Sequence, residues 1–271
     1  MKIITCKNIG NTCYFNSVLQ TLINDELFIL TLDPKRSTFC RLLKDLCHEV
    51  DLTDNNELLY SSTDVSKIIH VFQKTNTCFT DFVQHDAHEC MGAILEMVSN
   101  VNMYTGKYKI SIQCSQCKTI SSHYESFTSI MLSVEENCKL YDLFERHLQQ
   151  ETIKEYQCDC CKTQTTAERK TWIYTLPKRL IIVLKRYSNS SYRCKIDYPN
   201  QTLKMKNPVD LHVYEYSLSC VIHHRGGIKK GHYYTNVKIN KNWYLIDDDT
   251  IYLDEGICFN DPSAYILMYS M

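Results

Sequence analysis

The sequence places a candidate nucleophile, Cys13, directly after Gly10-Asn11-Thr12, where the first strongly periodic helical segment begins. A thiol at a helix N-terminus lies at the positive end of the helix dipole, beside backbone N–H groups that have no partner within the helix. Both features stabilise the thiolate, which is the form that attacks a carbonyl carbon. The same N–H groups, with the side-chain amide of Asn8, can stabilise an oxyanion on that carbon. A lone cysteine is more often a buried packing residue, so the assignment needs a base.

His232 is the candidate base, because it begins a β-strand directly after the glycine-containing loop 226–231. Side chains at strand ends beside loops lie at the edges of clefts, where a base has access to substrate. The strand 232–239 is followed by a polar turn and by the apolar segment 243–247, a pattern typical of a β-hairpin. An acidic residue at the end of this hairpin can orient the imidazole and fix its tautomer.

The register of the hairpin decides which acidic residue lies beside His232. In an antiparallel pair the numbers of opposed residues have a constant sum, and a two-residue or four-residue loop makes that sum 481. Asp247 then lies opposite Tyr234, on the same face as His232 and at a diagonal spacing of about 7–8 Å. A three-residue loop gives 482 and places Asp248 there instead. The hairpin therefore predicts an acidic orienter without choosing between the two, and an ordinary solvated acidic turn is the alternative interpretation.

Two Cys-x-x-Cys pairs lie about 40 residues apart, and their members are Cys114, Cys117, Cys158 and Cys161. Each pair can direct two sulfur atoms at one point, and two such pairs form the tetrahedral site that Zn²⁺ prefers. The separation exceeds that of a compact zinc ribbon, so the strand and helix expected within 121–150 must carry the chain away and back. Cys160 could replace a member of the second pair, but with poorer geometry. The sequence predicts a structural zinc site, with two unrelated pairs of free cysteines as the alternative.

Composition limits the classes of function that these residues can serve. The 271 residues carry 30 basic and 31 acidic side chains, and the net charge of −1 disfavours a nucleic-acid partner. No apolar run approaches the roughly 20 residues of a membrane helix, so no membrane partner is expected. The 15 cysteines cannot all pair, and the first ten residues do not resemble a signal peptide. We therefore expect an intracellular, reducing compartment, the cytoplasm or the nucleus.

The elements that must position these residues change in character after roughly the first hundred residues. Before that point, apolar residues recur at helical spacing after residue 12 and in the segments 37–50, 63–74 and 85–99. After it, alternating segments rich in β-branched and aromatic residues predict strands, interrupted by one helix at 139–150. The predicted fold class is α+β, a helical first third followed by an antiparallel sheet.

These motifs, taken in order, resemble those of the ubiquitin-specific protease family. Residues 8–20, NIGNTCYFNSVLQ, closely resemble its cysteine box, and 231–234 with 243–248 resemble its histidine box. The segment 84–90, QHDAHEC, is similar to the family's acidic helix motif, with Cys90 where a bulkier apolar residue is more usual. The paired cysteines match as well, so the resemblance covers essentially the whole chain.

The resemblance implies a papain-like thiol protease in a single catalytic domain, 1–271, built from a thumb, a palm and fingers. The corresponding parts are 1–102 for the helical thumb, 103–170 for the zinc-bearing β fingers with a palm helix, and 171–271 for the β palm. It also implies hydrolysis after the C-terminal glycine of ubiquitin, in ubiquitinated proteins or in chains. The chain is short for this family's core, so no accessory domain is expected.

By position in these motifs, the resemblance assigns chemical roles to individual residues. Cys13 is the nucleophile, His232 the general base and acid, and Asp247 the orienter, with Asp248 as a possible helper. Asn8 resembles the family's oxyanion donor. The four paired cysteines resemble the zinc ligands.

The resemblance also places a channel for the C-terminal tail of ubiquitin. Asp86 and Glu89 are expected to meet the basic residues of that tail, with a solvated helix face and a helix cap as the alternative. The channel itself is expected to run past Gly226, Gly227, Gly231 and Tyr233, because glycine lets a backbone approach a Gly-Gly terminus closely. A monomeric protease for a ubiquitin-like modifier, or a catalytically silent ubiquitin-binding module, would share much of this pattern. The complete triad argues against the silent module.

Overall fold

The computed structural model describes residues 2–49, 59–80, 82–98, 101–135, 138–186, 194–208, 210–227, 230–256 and 260–271. These residues form α-helices α1 (Cys13–Ile23), α2 (Glu26–Thr31), α3 (Thr38–Glu49), α4 (Ser66–Thr75), α5 (Ala87–Met97) and α6 (Leu140–His147). A short 3-10 helix spans Val101–Met103. Of the helices that the structure describes, none combines the length and the apolar character that crossing a bilayer requires.

The strands are β1 (Lys2–Cys6), β2 (Leu59–Thr63), β3 (Gly106–Cys114), β4 (Ile120–Phe127), β5 (Ile130–Ser133), β6 (Cys138–Lys139), β7 (Glu151–Gln157), β8 (Gln164–Thr175), β9 (Arg179–Lys185), β10 (Ile196–Asp197), β11 (Leu203–Lys206), β12 (Val213–Gly227), β13 (Lys230–Ile239), β14 (Asn242–Asp247), β15 (Thr250–Leu253) and β16 (Ala264–Ser270). The expected change from helix to strand is therefore confirmed. α2, β1 and β2 were not predicted, because they have only five or six residues each and are too short for periodicity to reveal. Positions 50 and 99 of the predicted helices lie outside the described residues.

The palm is a mixed sheet in the order β15–β14–β13–β12–β16–β9–β5, with β11 paired to the outer part of β12. Among the described strands of this sheet, β5 and β9 form the one parallel pair. Both faces of this sheet are covered by packed side chains. Strand β9 illustrates this, because its successive residues belong alternately to two hydrophobic cores. Ile181 and Val183 pack against the thumb helices, whereas Leu180, Ile182 and Leu184 pack in the second core, which contains residues of α6. A strand buried on both faces reads as a continuous apolar run, which RLIIVLK is.

Helix α1 is the central helix of the thumb, and all eleven of its residues are buried. It packs on β12, β13 and β14 of the palm and on α2 and α5 of the thumb. Its N-terminus therefore lies against the palm strands that carry the histidine box.

The fingers form a separate four-stranded antiparallel sheet in the order β4–β3–β8–β7. β3 ends at Cys114 and β7 ends one residue before Cys158, so the strands bring the two cysteine pairs to one end of the sheet. β8 continues to Thr175, so this strand crosses the boundary that the sequence placed between 170 and 171.

Candidate active site

Cys13 is the first residue of α1, and only 2% of its surface is exposed. Thr12 occupies the N-cap position, but its hydroxyl accepts a hydrogen bond from the Ile9 N–H instead of capping the helix. None of the described side chains caps α1. The N-terminal N–H groups and the positive end of the helix dipole therefore face the Cys13 sulfur and any carbonyl group that it attacks.

The loop before Cys13 is held in one conformation by Asn8. Asn8 Oδ1 accepts hydrogen bonds from the N–H groups of Gly10 (3.1 Å) and Thr12 (3.2 Å). Gly10 has φ +118°, and a Cβ there would lie 2.6 Å from the ring of Phe82, so only glycine fits. The loop thus presents its backbone beside the nucleophile in a fixed geometry.

His232 is placed by the β13–β14 hairpin, whose register resolves the alternatives of the sequence. Thr235 pairs with Ile246 and Ile239 with Asn242, so the constant sum is 481 and the loop has two residues. His232 Nε2 lies 2.5 Å from Asp247 Oδ1, and Cys13 lies on the other side of the ring, close enough to raise the pKa of His232. Because Nε2 is bound to Asp247, Nδ1 is the ring nitrogen left for Cys13. The structure therefore brings the three predicted catalytic residues together.

The environment of His232 favours its protonated form. The neighbouring Cys13 and, next in size among the causes that raise it, the hydrogen bond with Asp247 bring the pKa of His232 to about 9. Partial burial opposes this shift but is outweighed. At neutral pH the imidazolium can then donate from Nε2 to Asp247 and from Nδ1 towards Cys13.

This raised pKa predicts the alkaline limb of the pH–rate profile. Below about pH 9 His232 carries the proton that a leaving amine needs, and above it that proton is lost, so kcat/KM should fall as the pH rises through about 9. Replacing Asp247 with asparagine removes one cause of the raised pKa and should move the limb to lower pH. Steady-state hydrolysis of an amide-linked substrate from pH 5 to 10 measures the limb, and a limb left in place by the substitution would contradict this assignment.

Asp248 lies in the turn between β14 and β15, with φ +50°. Its carboxylate accepts hydrogen bonds from Asn8 Nδ2 (2.9 Å) and Asn16 Nδ2 (2.8 Å), and its carbonyl oxygen accepts from the Cys6 N–H (3.0 Å). Burial raises the pKa of Asp248, and the two asparagine amides oppose that shift. Asp248 therefore fastens the palm to the loop that precedes Cys13, whereas it is Asp247 that contacts His232.

The four predicted zinc ligands converge at the end of the fingers. The sulfur atoms of Cys114 and Cys161 lie 3.9 Å apart and those of Cys117 and Cys158 lie 3.6 Å apart, with all four within 4.8 Å of one another. A tetrahedral ZnS₄ site with bonds of about 2.3 Å has sulfurs about 3.8 Å apart. This cluster can therefore bind a metal ion.

The two cysteine turns have the same local structure. In the first turn the Lys118 N–H donates to the Cys114 carbonyl oxygen at 3.0 Å, and in the second the Lys162 N–H donates to the Cys158 carbonyl oxygen at 2.9 Å. Both lysines have positive φ, 60° and 57°. Cys160, in contrast, is exposed and does not belong to the cluster.

The two acidic residues that were predicted to meet the tail of the substrate, Asp86 and Glu89, differ in their surroundings. Asp86 is engaged within the chain, since its carboxylate caps α5 through the His88 and Glu89 N–H groups and accepts from the Tyr265 hydroxyl at 2.6 Å. Glu89 is exposed. The helix cap that the sequence analysis gave as the alternative role of Asp86 is therefore present.

The described glycines of the segment 226–231 lie in paired strands, where the sequence suggested a loop. Gly226 pairs with Gly231 and Gly227 with Lys230, while residues 228–229 lie outside the described part of the chain. A Cβ on Gly231 would collide with the His224 ring, so this position requires glycine. Tyr233 is buried, with its ring 4.3 Å from that of His224.

No sequence pattern indicated a role for three residues here, of which Gln84 and Tyr265 join the thumb to the palm and His224 packs within the palm. Gln84 makes two hydrogen bonds to the backbone of Gly231, Tyr265 binds Asp86, and His224 packs beside both Tyr233 and Tyr265. Gln84 is part of the 84–90 motif, but its partner is 147 positions away, and no local pattern identifies such a pair.

Comparison with known proteins places this geometry in a family. The profile of the ubiquitin carboxyl-terminal hydrolase family matches residues 4–269. Ubiquitin carboxyl-terminal hydrolase 12 of Salmo salar is 26% identical over 335 aligned positions, which cover 97% of this chain and 88% of that protein. Ubiquitin carboxyl-terminal hydrolase 4 of Arabidopsis thaliana is 25% identical, with 97% and 92% covered.

Solved structures show the same fold. The SAGA DUB module of Ubp8, Sgf11, Sus1 and Sgf73 bound to monoubiquitin matches with a TM-score of 0.82 and 23% identity, covering 99% of this chain and 69% of that chain. The same module bound to ubiquitin aldehyde matches with a TM-score of 0.79 and 22% identity, and with the same coverage.

The fold and family that the sequence motifs indicated are both confirmed. The match spans nearly the whole chain, from the strand before the cysteine loop to the last strand of the palm. The chain belongs to the ubiquitin carboxyl-terminal hydrolase family, whose members are cysteine-type deubiquitinating peptidases.

Proposed function

We propose that this deubiquitinase cleaves the bond after the C-terminal glycine of ubiquitin with Cys13 as nucleophile, His232 as general base and acid, and Asp247 as orienter. The observation that carries the assignment is that His232 is hydrogen-bonded to Asp247 and lies close enough to Cys13 for Cys13 to raise the pKa of the imidazole. This arrangement has the nucleophile, base and orienter in the order that activated nucleophiles require.

The reaction is an acyl transfer in two stages. The Cys13 thiolate attacks the glycine carbonyl carbon, and the tetrahedral intermediate collapses as His232 gives its Nδ1 proton to the leaving lysine amine. Water, deprotonated by His232, then attacks the thioester, which releases the glycine carboxylate and restores the thiol. Asp247 keeps the imidazole ring in place during both proton transfers.

The oxyanion of each tetrahedral intermediate is stabilised by the Cys13 N–H at the start of α1 and by Asn8. Asn8 Nδ2 carries two hydrogens, and Asp248 accepts one of them, which leaves the second for the oxyanion. Asp248 is thus a positioning residue that fixes the Asn8 amide. Each such donor contributes about 10²- to 10³-fold to the rate in other hydrolases.

The tail of ubiquitin is proposed to lie between the start of α5 and the adjoining ends of β12 and β13. Glu89 and Asp86 give the thumb side of this path negative charge, which suits arginine side chains. Gly231 and Tyr233 line its palm side, close to His232, and Gly226 and Gly227 lie at the end of β12 next to them. The packing of His224 against Gly231 sets the width of the path there.

Hydrolysis of fluorogenic C-terminal amides tests the substrate assignment. Ubiquitin and a panel of ubiquitin-like modifiers, each carrying the same leaving group, should give the highest kcat/KM for ubiquitin. A higher kcat/KM for another modifier would identify that modifier, and not ubiquitin, as the preferred substrate. Absence of turnover with every member, while ubiquitin still binds, would support a silent binding module instead.

We also propose that the four-cysteine cluster holds a structural Zn²⁺, since its sulfur spacing fits a ZnS₄ tetrahedron. Four thiolates leave no open position, so the ion supplies stability to the fingers and takes no part in the reaction. The cluster and the nucleophile both require reduced thiols, which supports a reducing compartment such as the cytoplasm or nucleus. We expect a monomer without a nucleic-acid or membrane partner, which light scattering and binding assays can test.

Two neighbouring cysteines provide a matched test of the metal site. Cys158→Ser should lower the zinc content from about one ion per chain and reduce the melting temperature, because a ligand is lost. Cys160→Ser should change neither, because Cys160 is exposed and outside the cluster. Elemental analysis and thermal melts measure both effects, and equal behaviour of the two variants would contradict the site.

A further inference from the structure

One side chain, Gln84, bridges the thumb and the palm beside the catalytic histidine. Gln84 Nε2 donates to the Gly231 carbonyl oxygen (2.5 Å), and the Gly231 N–H donates to Gln84 Oε1 (2.9 Å). Gln84 precedes α5 in the thumb, whereas Gly231 lies on β13 in the palm. A single amide therefore satisfies both backbone hydrogen-bonding groups of one strand residue, as a neighbouring strand would.

Gln84 lies beside β13, in the place that a continuation of β14 would occupy. β12 pairs with β13 as far as Lys230, but β14 pairs with it only from Thr235 onward. Hydrogen-bonding groups alternate in direction along a strand, so Gly231 directs its N–H and its carbonyl oxygen to the side from which β14 has turned away, where they meet Gln84. An edge of this kind accepts an extended peptide as an added strand.

This edge leads directly to the nucleophile. His232 follows Gly231 by one residue, a rise of about 3.3 Å along a strand, and His232 lies beside Cys13. Only 2% of the Cys13 surface is exposed, so access to it is restricted. An extended chain that arrives along β13 needs the hydrogen-bonding groups of Gly231 that Gln84 now holds.

A second contact allows Gln84 to leave without separating the two parts of the molecule. The Tyr265 hydroxyl donates to Asp86 Oδ2 at 2.6 Å and ties the start of α5 to β16. Gln84 is only half-buried, and hydrogen bonds with access to water are readily exchanged for others. The Asp86–Tyr265 contact can thus keep the thumb in place while the Gln84 side chain swings away.

We propose that Gln84 is a latch that the substrate displaces: its amide holds the Gly231 peptide group until the extended C-terminal tail of the substrate takes its place. The proposal rests on the proposed function, because the tail is the occupant that exchanges with Gln84. It makes Gln84 a residue that controls entry of the tail and not one that takes part in the chemistry.

Capture kinetics test the latch. Ubiquitin with a C-terminal electrophile must enter along the tail path, whereas iodoacetamide needs only the Cys13 sulfur. Gln84→Leu, which keeps the side-chain bulk but forms no hydrogen bonds, should accelerate capture of the ubiquitin probe roughly tenfold, because two weak hydrogen bonds no longer compete. Gln84→Glu should act in the same direction, because it places a carboxylate against the Gly231 carbonyl oxygen. Iodoacetamide alkylation of Cys13, read by peptide mass spectrometry, should stay within about twofold.

The outcomes separate the latch from other roles. Gln150→Leu, an exposed site after α6, is the matched control and should leave both rates unchanged. Capture of the probe that is unchanged or slower in both Gln84 variants overturns the latch. Slower reaction with probe and iodoacetamide alike would make Gln84 a residue that positions His232. If the wild-type chain reacts with iodoacetamide but never with the ubiquitin probe, the proposed function itself fails, and the latch fails with it.

Discussion

Replacing Cys13 with alanine is expected to reduce hydrolysis of ubiquitin conjugates by at least about 10⁴-fold, because the acyl-enzyme can no longer form. The reason is positional: Cys13 is the thiol at the start of α1 that lies beside His232. Binding of ubiquitin should persist, since the substitution removes one sulfur atom and leaves the tail path intact. Gel-based cleavage of isopeptide-linked diubiquitin and binding by calorimetry measure the two properties separately.

The matched control for this variant is Cys78→Ala, which changes an exposed thumb cysteine. It should retain wild-type turnover, and the melting temperature of both variants should stay close to that of the wild type. Turnover retained in Cys13→Ala would move the nucleophile to another residue. Lost binding together with a lowered melting temperature would show instead that the alanine variant is misfolded, and Cys13→Ser would then be the variant to compare.

The second large effect is expected from Asp247, with its neighbour Asp248 as the internal comparison. Asp247→Asn should lower kcat/KM by about 10³- to 10⁴-fold, because the imidazole loses the carboxylate that fixes its tautomer. Asp248→Asn should cost less, roughly 10- to 100-fold, because it loosens one oxyanion donor, Asn8, and leaves His232 in contact with Asp247. The two aspartates therefore act through different partners.

The two variants also differ in a property other than rate. Asp247→Asn should shift the alkaline limb of the pH profile further to lower pH than Asp248→Asn does, because Asp247 hydrogen-bonds His232 whereas Asp248 acts on it only through its charge. A larger loss of rate in Asp248→Asn than in Asp247→Asn, together with the larger shift of the limb, would make Asp248 the orienter. Steady-state assays with one substrate over the same pH range decide between the two.

Local patterns predicted the parts of the site that lie within single elements. The position of Cys13 at a helix start follows from the periodicity after residue 12, and the hairpin arithmetic left two registers for His232. The structure has the register of 481 because Asn240 adopts φ +55° in a two-residue turn. Asparagine tolerates that conformation, so Asn240 in the sequence favours a two-residue turn, although it does not exclude a longer loop.

Contacts between distant segments could not be predicted in this way. The Asn8 amide was expected to be an oxyanion donor, but which atoms it binds depends on Asp248, 240 positions away. For Asp86 the sequence left open contact with the substrate tail or a helix cap, and its hydrogen bond with Tyr265, 179 positions away, was not predicted. These partners are set by how the thumb docks on the palm, and no single element records that docking.

The two cysteine pairs were predicted in part from a local pattern and in part depend on contacts between distant segments. Their spacing predicted a shared site, and the matching turns at Lys118 and Lys162 show why the Cys-x-x-Cys-Lys-Thr pattern repeats. The 40 or so intervening residues return because β4, β7 and β8 pair in one sheet with β3. The meeting of the two cysteine pairs therefore depends on the whole fingers sheet, which the spacing of the cysteines alone does not predict.

The most direct test of the account is to map the adduct that a ubiquitin probe with a C-terminal electrophile forms on the wild-type chain. Digestion and mass spectrometry should place the modification on Cys13 alone, and prior alkylation of Cys13 should abolish it. An adduct on any other of the 15 cysteines, or none on a folded chain that binds ubiquitin, would contradict the assignment of Cys13 as the nucleophile of this deubiquitinase.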